Sequence, residues 1–250
     1  MATNIAIFDG DGTLWKFPNE FGSSWSLVEK ILSDEELRLW KKRSREFHDN
    51  FERRNDKEYE SFLEIQVKLL QGKPCLDLEN VKIPYREGAK ELVERLKPSY
   101  DIYILSAGFY DVVEKAAREL GVKHISNEIE RKNGFYTGKI KKVVSPFNKS
   151  SLIRQLITSY SSQTSQLLLF YDEYDFDIQN FEANIGSVES IKKFLIVEDE
   201  KSKQEKQESK QEKQELSKHK KIQSPSNSLS SSCFTFVINK FSQAYSHIFS

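Results

Sequence analysis

Apolar positions along this chain follow two periods. Short unbroken apolar runs, "IAIF" at 5–8, "IYIL" at 102–105 and "LLLF" at 167–170, each give way at once to a polar cluster. Runs of that length, bounded by turns, are the pattern of strands buried on both faces of a parallel sheet. Between them the period lengthens to that of a helix. Leu27, Ile31, Leu37 and Trp40, then Phe62, Ile65 and Leu69, recur at helical spacing in a highly charged block from about Ser24 to Gln71. Gly72 and Pro74 close that block. Segments 85–97, 110–122, 150–160 and 178–186 read as further helices. Residues 124–140, with Asn133-Gly134 at their middle, read as a hairpin.

Strands alternating with helices predict an α/β fold, a Rossmann-like parallel sheet core with a small helical cap inserted after the first strand. The expected boundaries are a core of 1–15 and 82–197 and a cap of 16–81. From 198 to 232 the composition shifts to a low-complexity run with four Lys-Gln-Glu triplets, the signature of a solvated linker. Residues 233–250 turn apolar again. Phe234, Val237, Ile238, Phe241, Tyr245 and Ile248 fall on one face of a helix, which either docks on the core or holds a partner or membrane surface.

Composition narrows the function classes. The 250 residues carry 38 Lys+Arg and 38 Asp+Glu, a parity that argues against a bulk electrostatic hold on nucleic acid or anionic membrane. No apolar stretch approaches the roughly 20 residues needed to span a bilayer. The N-terminus lacks the charged and apolar regions of a secretory leader. Two distant cysteines, Cys75 and Cys233, fit no metal spacing and suit a reducing compartment. A cytoplasmic protein is the expectation.

The candidate chemistry sits where apolar strands end. Asp9 and Asp11 follow the first strand, Ser106 closes the second and Asp172 follows the third. In parallel sheets ligand sites gather beyond those carboxyl ends. Two carboxylates one residue apart resist burial unless a cation lies between them. A carboxylate nucleophile suits attack on phosphorus, because the acyl phosphate it forms is readily hydrolysed. Asp9 is the candidate nucleophile, and Asp11 can protonate the leaving oxygen and then deprotonate water. Thr13, Ser106 and the amides of Ala107 and Gly108 can bind phosphate oxygens, and a lysine can add positive charge. Mg²⁺ favours carboxylate and carbonyl oxygens, with Asp172 completing a ligand set begun by Asp9.

"FDGDGTLW", "YILSAGF", "NKSS" and "YDEYDFD", in that order, resemble the motifs of the haloacid dehalogenase superfamily over roughly residues 4–190. Within it, "VKLLQGKP", "PYREGAKELVERLK", "SAGFYDVVEKAARELGV" and "NGFYTGKI" resemble the phosphoserine-phosphatase-like branch. The resemblance implies a Mg²⁺-dependent phosphatase that hydrolyses a small phosphomonoester through a phosphoaspartyl intermediate. It supplies Lys149 as the motif lysine and Asp177 as an acid behind it, orienting Lys149 or water. It also implies that Asp9, the Asp11 carbonyl and Asp172 bind the metal.

The sequence departs from the branch pattern in three places. Glu64 and Gln66 stand in "FLEIQVKLL", where a substrate-binding arginine is expected, so a carboxylate near Glu64 is disfavoured. Tyr171, Glu173 and Tyr174 surround Asp172 in place of the usual small residues. The family's last strand and helix are not recognisable before the charged run. The altered fourth motif and the apolar tail face motivate one alternative, a catalytically weak relative used for binding through its tail; a protein phosphatase is the other. A cap over the site argues against a large substrate.

Overall fold

Six parallel strands form the sheet of this computed structural model, which describes residues 3–19, 22–160, 164–181, 188–197 and 232–248. The strands are β1 (Thr3–Phe8), β2 (Asp101–Ser106), β3 (Lys123–Ser126), β6 (Thr164–Tyr171), β7 (Val188–Ile196) and β8 (Ser232–Ile238). Their order is β3-β2-β1-β6-β7-β8, so β1 lies between the two strands that carry Ser106 and Asp172. Phe8 pairs in register with Ile104 on one side and Phe170 on the other. That register brings Asp9, Ser106 and Asp172 to the same sheet end.

The apolar runs are buried as expected of a sheet covered on both faces. One face carries a ladder of phenyl rings at paired positions, Phe8, Phe170, Phe194 and Phe236. Neighbouring centroids lie 4.2, 4.7 and 5.3 Å apart, with interplanar angles of 22° or less. Helices α3 (Ala89–Leu96) and α4 (Tyr110–Leu120) follow β1 and β2 in the chain, and α5 (Lys149–Ser159) precedes β6. β4 (Glu128–Lys132) and β5 (Phe135–Lys142) form the separate hairpin. Its turn places Asn133 and Gly134 at φ 52° and 80°, the left-handed pair that Asn-Gly adopts at least cost.

Between β1 and α3 lies the helical insert: a 3-10 helix (Ser24–Lys30), α1 (Asp34–His48), a second 3-10 turn (Phe51–Arg53) and α2 (Asp56–Lys68). Both α-helices begin with capping boxes, Ser33 with Glu36 and Asn55 with Glu58. Trp40, Phe47, Tyr59, Leu63 and Val67 are buried inward. Ile65, expected on the packed face, is instead half exposed, because the inward stripe of α2 runs through Tyr59, Leu63, Gln66 and Val67.

The end of the chain differs from its expected form. Residues 233–250 do not make one amphipathic helix: Ser232–Ile238 is the sixth strand and only Phe241–Ile248, α7, is helical. The β-branched and aromatic composition of "CFTFVI" favours the pleated form. Of the helix expected over 178–186, α6 covers Phe176–Gln179 and residues 182–186 lie outside the described residues; β7 begins at Val188. A closing strand and helix are therefore present after all. The Lys-Gln-Glu run lies outside the described residues. α7 packs on the sheet through Phe241, whose ring lies 6.3 Å from Phe8 and 6.1 Å from Phe170. No helix among the described residues is long and apolar enough to cross a membrane.

Candidate active site

Motif residues 9–15 leave β1 in a tight turn that only glycine permits at two positions. A side chain on Gly10 would lie 2.5 Å from the Trp15 ring and 2.6 Å from Ser106 Oγ. Gly12, at φ 83°, leaves room for an Asp172 carboxylate oxygen that would otherwise sit 1.8 Å from a Cβ. Arg86 Nε donates to the Gly12 carbonyl at 2.8 Å and fixes the turn. Thr13 is fully buried, and its Oγ1 has no hydrogen-bond partner.

The buried ammonium of Lys149, in the first turn of α5, reaches Asp9 Oδ1 at 2.6 Å and Asp175 Oδ1 at 2.5 Å. Asp9, Asp172 and Asp175 each offer an oxygen within 4.8 Å of the others. Three buried carboxylates thus face one ammonium. Burial, with the charges of Asp175 and Asp9, holds Asp172 well above the usual carboxylate range. Burial and Asp9 likewise push Asp175 up to about 7. Burial alone would lower Lys149, but the charges of Asp175 and Asp9 outweigh it and raise the ammonium above its ordinary value. Asp175 Oδ2 is buried without a partner. Clustered hard oxygens, one of them unsatisfied, fit a small divalent cation such as Mg²⁺.

Asp11 points the other way. It accepts from Trp15 Nε1 at 2.6 Å, Ser24 N at 2.9 Å, Ser24 Oγ at 2.7 Å and Ser23 Oγ at 3.0 Å. Desolvation lifts it to about 6 despite those donors, with Asp9 adding to the rise. Ser106 is fully buried, and its Oγ accepts from the Gly108 amide at 3.1 Å. The Ala107 carbonyl turns toward the insert, where Trp25 Nε1 donates to it at 3.0 Å.

The structure therefore brings Asp9, Lys149 and Asp172 into one cluster, and places Ser106 at the end of β2 and Asp11, Ala107 and Gly108 in the adjoining loops. Asp177 does not reach Lys149. Its carboxylate instead accepts from the Ser150 amide at 2.5 Å and caps the first turn of α5. Asp175 takes the place expected for it. The signal was present in "DEYD": residues three apart in a turn return to the same side, and Asp175 N donates to Asp172 O at 3.3 Å. Asn127, not singled out above, is fully buried and ties loops together, donating to Ala107 O at 2.7 Å and accepting from Val144 N at 2.8 Å. Glu64 is exposed on α2. Gln66 is buried, its Nε2 donating to Trp40 O and Ser44 Oγ while its Oε1 has no hydrogen-bond partner.

Residues 6–160 match the family model of haloacid dehalogenase-like hydrolases, and the chain belongs to that family. Among solved structures, a cytosolic 5'-nucleotidase IIIB bound to cytidine is similar at 16% identity and a TM-score of 0.58, over 82% of this chain and 77% of that one. A phosphoserine phosphatase in apo form is similar at 21% identity and a TM-score of 0.51, over 77% and 86%. A protein of unknown function from Bordetella pertussis Tohama I is similar at 18% identity and a TM-score of 0.55, over 78% and 91%. No curated protein matches the sequence.

Proposed function

We propose that this chain hydrolyses a small phosphate monoester through an aspartyl phosphate on Asp9. The observation that carries the reading is Lys149 held between Asp9 and Asp175, with Asp172 in the same cluster. A carboxylate oxygen of Asp9 attacks phosphorus and the ester P–O bond breaks. Asp11, raised to about 6, passes a proton to the leaving oxygen near neutral pH. Water then attacks the acyl phosphate, Asp11 takes its proton, and inorganic phosphate leaves.

The unpaired Thr13 Oγ1 and the buried Ser106 Oγ are the hydroxyls available to phosphoryl oxygens, beside the Lys149 charge. Asp9, Asp172, Asp175 and the Asp11 carbonyl are the oxygens that would hold Mg²⁺. When bound, it would neutralise charge on phosphoryl oxygens.

The test is hydrolysis of an aryl phosphate with and without Mg²⁺. Turnover is expected only with the metal, and Asp9→Asn should lower it at least about thousandfold, since an amide cannot form the acyl phosphate. A fully active Asp9→Asn enzyme overturns the reading.

A further inference from the structure

One buried carbonyl at the site carries more donors than it can use well. Ala107 O receives Asn127 Nδ2 at 2.7 Å, Trp25 Nε1 at 3.0 Å and Tyr59 Oη at 3.3 Å. A carbonyl oxygen has two lone pairs, and the two nitrogen donors lie at good distances for them. The tyrosine is the third and longest. A buried hydroxyl has to donate somewhere, and Ala107 is where this one rests.

Its placement is fixed from both sides. Tyr59 lies one turn into α2, and Asp56, at the start of that helix, accepts from Ser145 Oγ, just before the loop into Lys149. Its ring is buried edge-on against Phe47, with centroids 5.9 Å apart. The carbonyl it rests on belongs to the residue after Ser106, one of the two hydroxyls facing phosphoryl oxygens under the reading above, on which this inference rests.

We propose that Tyr59 is the insert's own donor to a phosphoryl oxygen of the substrate, its hydroxyl leaving Ala107 O when the ester enters. Trp25 and Asn127 then keep that carbonyl satisfied, so the exchange leaves no buried acceptor open. The contact closes the insert over the phosphate and senses the group common to every ester.

Tyr59→Phe tests this. It removes only the hydroxyl, whose resting bond is the surplus one, so Tm should move by less than about 2 °C. Inorganic phosphate, titrated calorimetrically, should bind about tenfold more weakly, as expected for one bond to a charged acceptor. With aryl and alkyl phosphates alike, kcat/KM should fall by about the same factor. An unchanged phosphate affinity overturns the proposal, as does a wild-type protein that binds no phosphate. A loss confined to one ester places the contact on the leaving group and overturns it too. A lowered Tm with unchanged phosphate binding makes Tyr59 a structural latch, again against the proposal. Tyr59-dependent phosphate binding in a wild-type protein that turns over no ester upholds it, while defeating the Asp9 mechanism.

Discussion

The two sides of the site are held by different forces. On the sheet side, Lys149 meets Asp9 and Asp175 at 2.6 and 2.5 Å, all three groups buried. On the insert side, Trp25 and Tyr59 reach the Ala107 carbonyl at 3.0 and 3.3 Å with neutral donors on aromatic rings. A buried charge cluster is intolerant: remove one member and the others stay behind, desolvated and unpaired. A neutral contact can part and re-form at the cost of one ordinary hydrogen bond. Asp9 therefore sits on the charge-held side, and the insert meets Ala107 through contacts that can yield.

The comparison is broken most severely by Lys149→Ala. Without added metal, denaturant unfolding should show a loss of about 3–5 kcal/mol, since the three acids lose the ammonium buried among them. Mg²⁺ should restore more stability to this variant than to the wild type. Equal metal responses would show that the carboxylates do not share a cation.

Trp25→Phe sharpens the other half. It removes one of three donors to Ala107 O and leaves Asn127 in place, so the cost should be about 1–2 kcal/mol in the same measurement. A loss as large as that of the lysine variant would mean that the insert is as rigid as the sheet.

The smallest effect concerns the insert alone. Lys73 and the Ser33 cap hold Glu36 down at about 2, below its ordinary 4.5. A lowered folded value gives stability that is present above pH 4.5 and is lost as pH falls through about 2. Glu36→Gln should therefore be less stable than wild type near neutrality, and thermal unfolding of the two should converge toward pH 2. A gap that persists unchanged at pH 2 would point to packing rather than charge.

Much of this was legible in the sequence because strand ends announce themselves. Asp9, Ser106 and Asp172 each follow an apolar run, and a parallel sheet with β1 at its centre brings them together. Lys149 needed the motif, because a lysine before a helix looks like any other. Asp175 was overlooked for Asp177 because acid spacing does not say which way the chain turns after β6. Nothing in the spacing of "FDGDGTLW" shows that the Trp15 Nε1 donates to Asp11. β7 was hidden by two lysines in its middle. Lys193 is buried there because Gln179 and Phe181 turn their carbonyls to it at 3.0 Å. β8 was hidden because "FTFVIN" also satisfies a helical period. Its phenyl in register with Phe194 becomes visible only once the neighbouring strand is in place.

The Phe241 ring lies over Phe8 and Phe170, so the first strand and the last helix share one patch of core. During synthesis β1 is made before the ring that covers it, so its phenyl face stays open until residue 241 has been added. Closure across so long a stretch of sequence makes folding slow for a chain of this size.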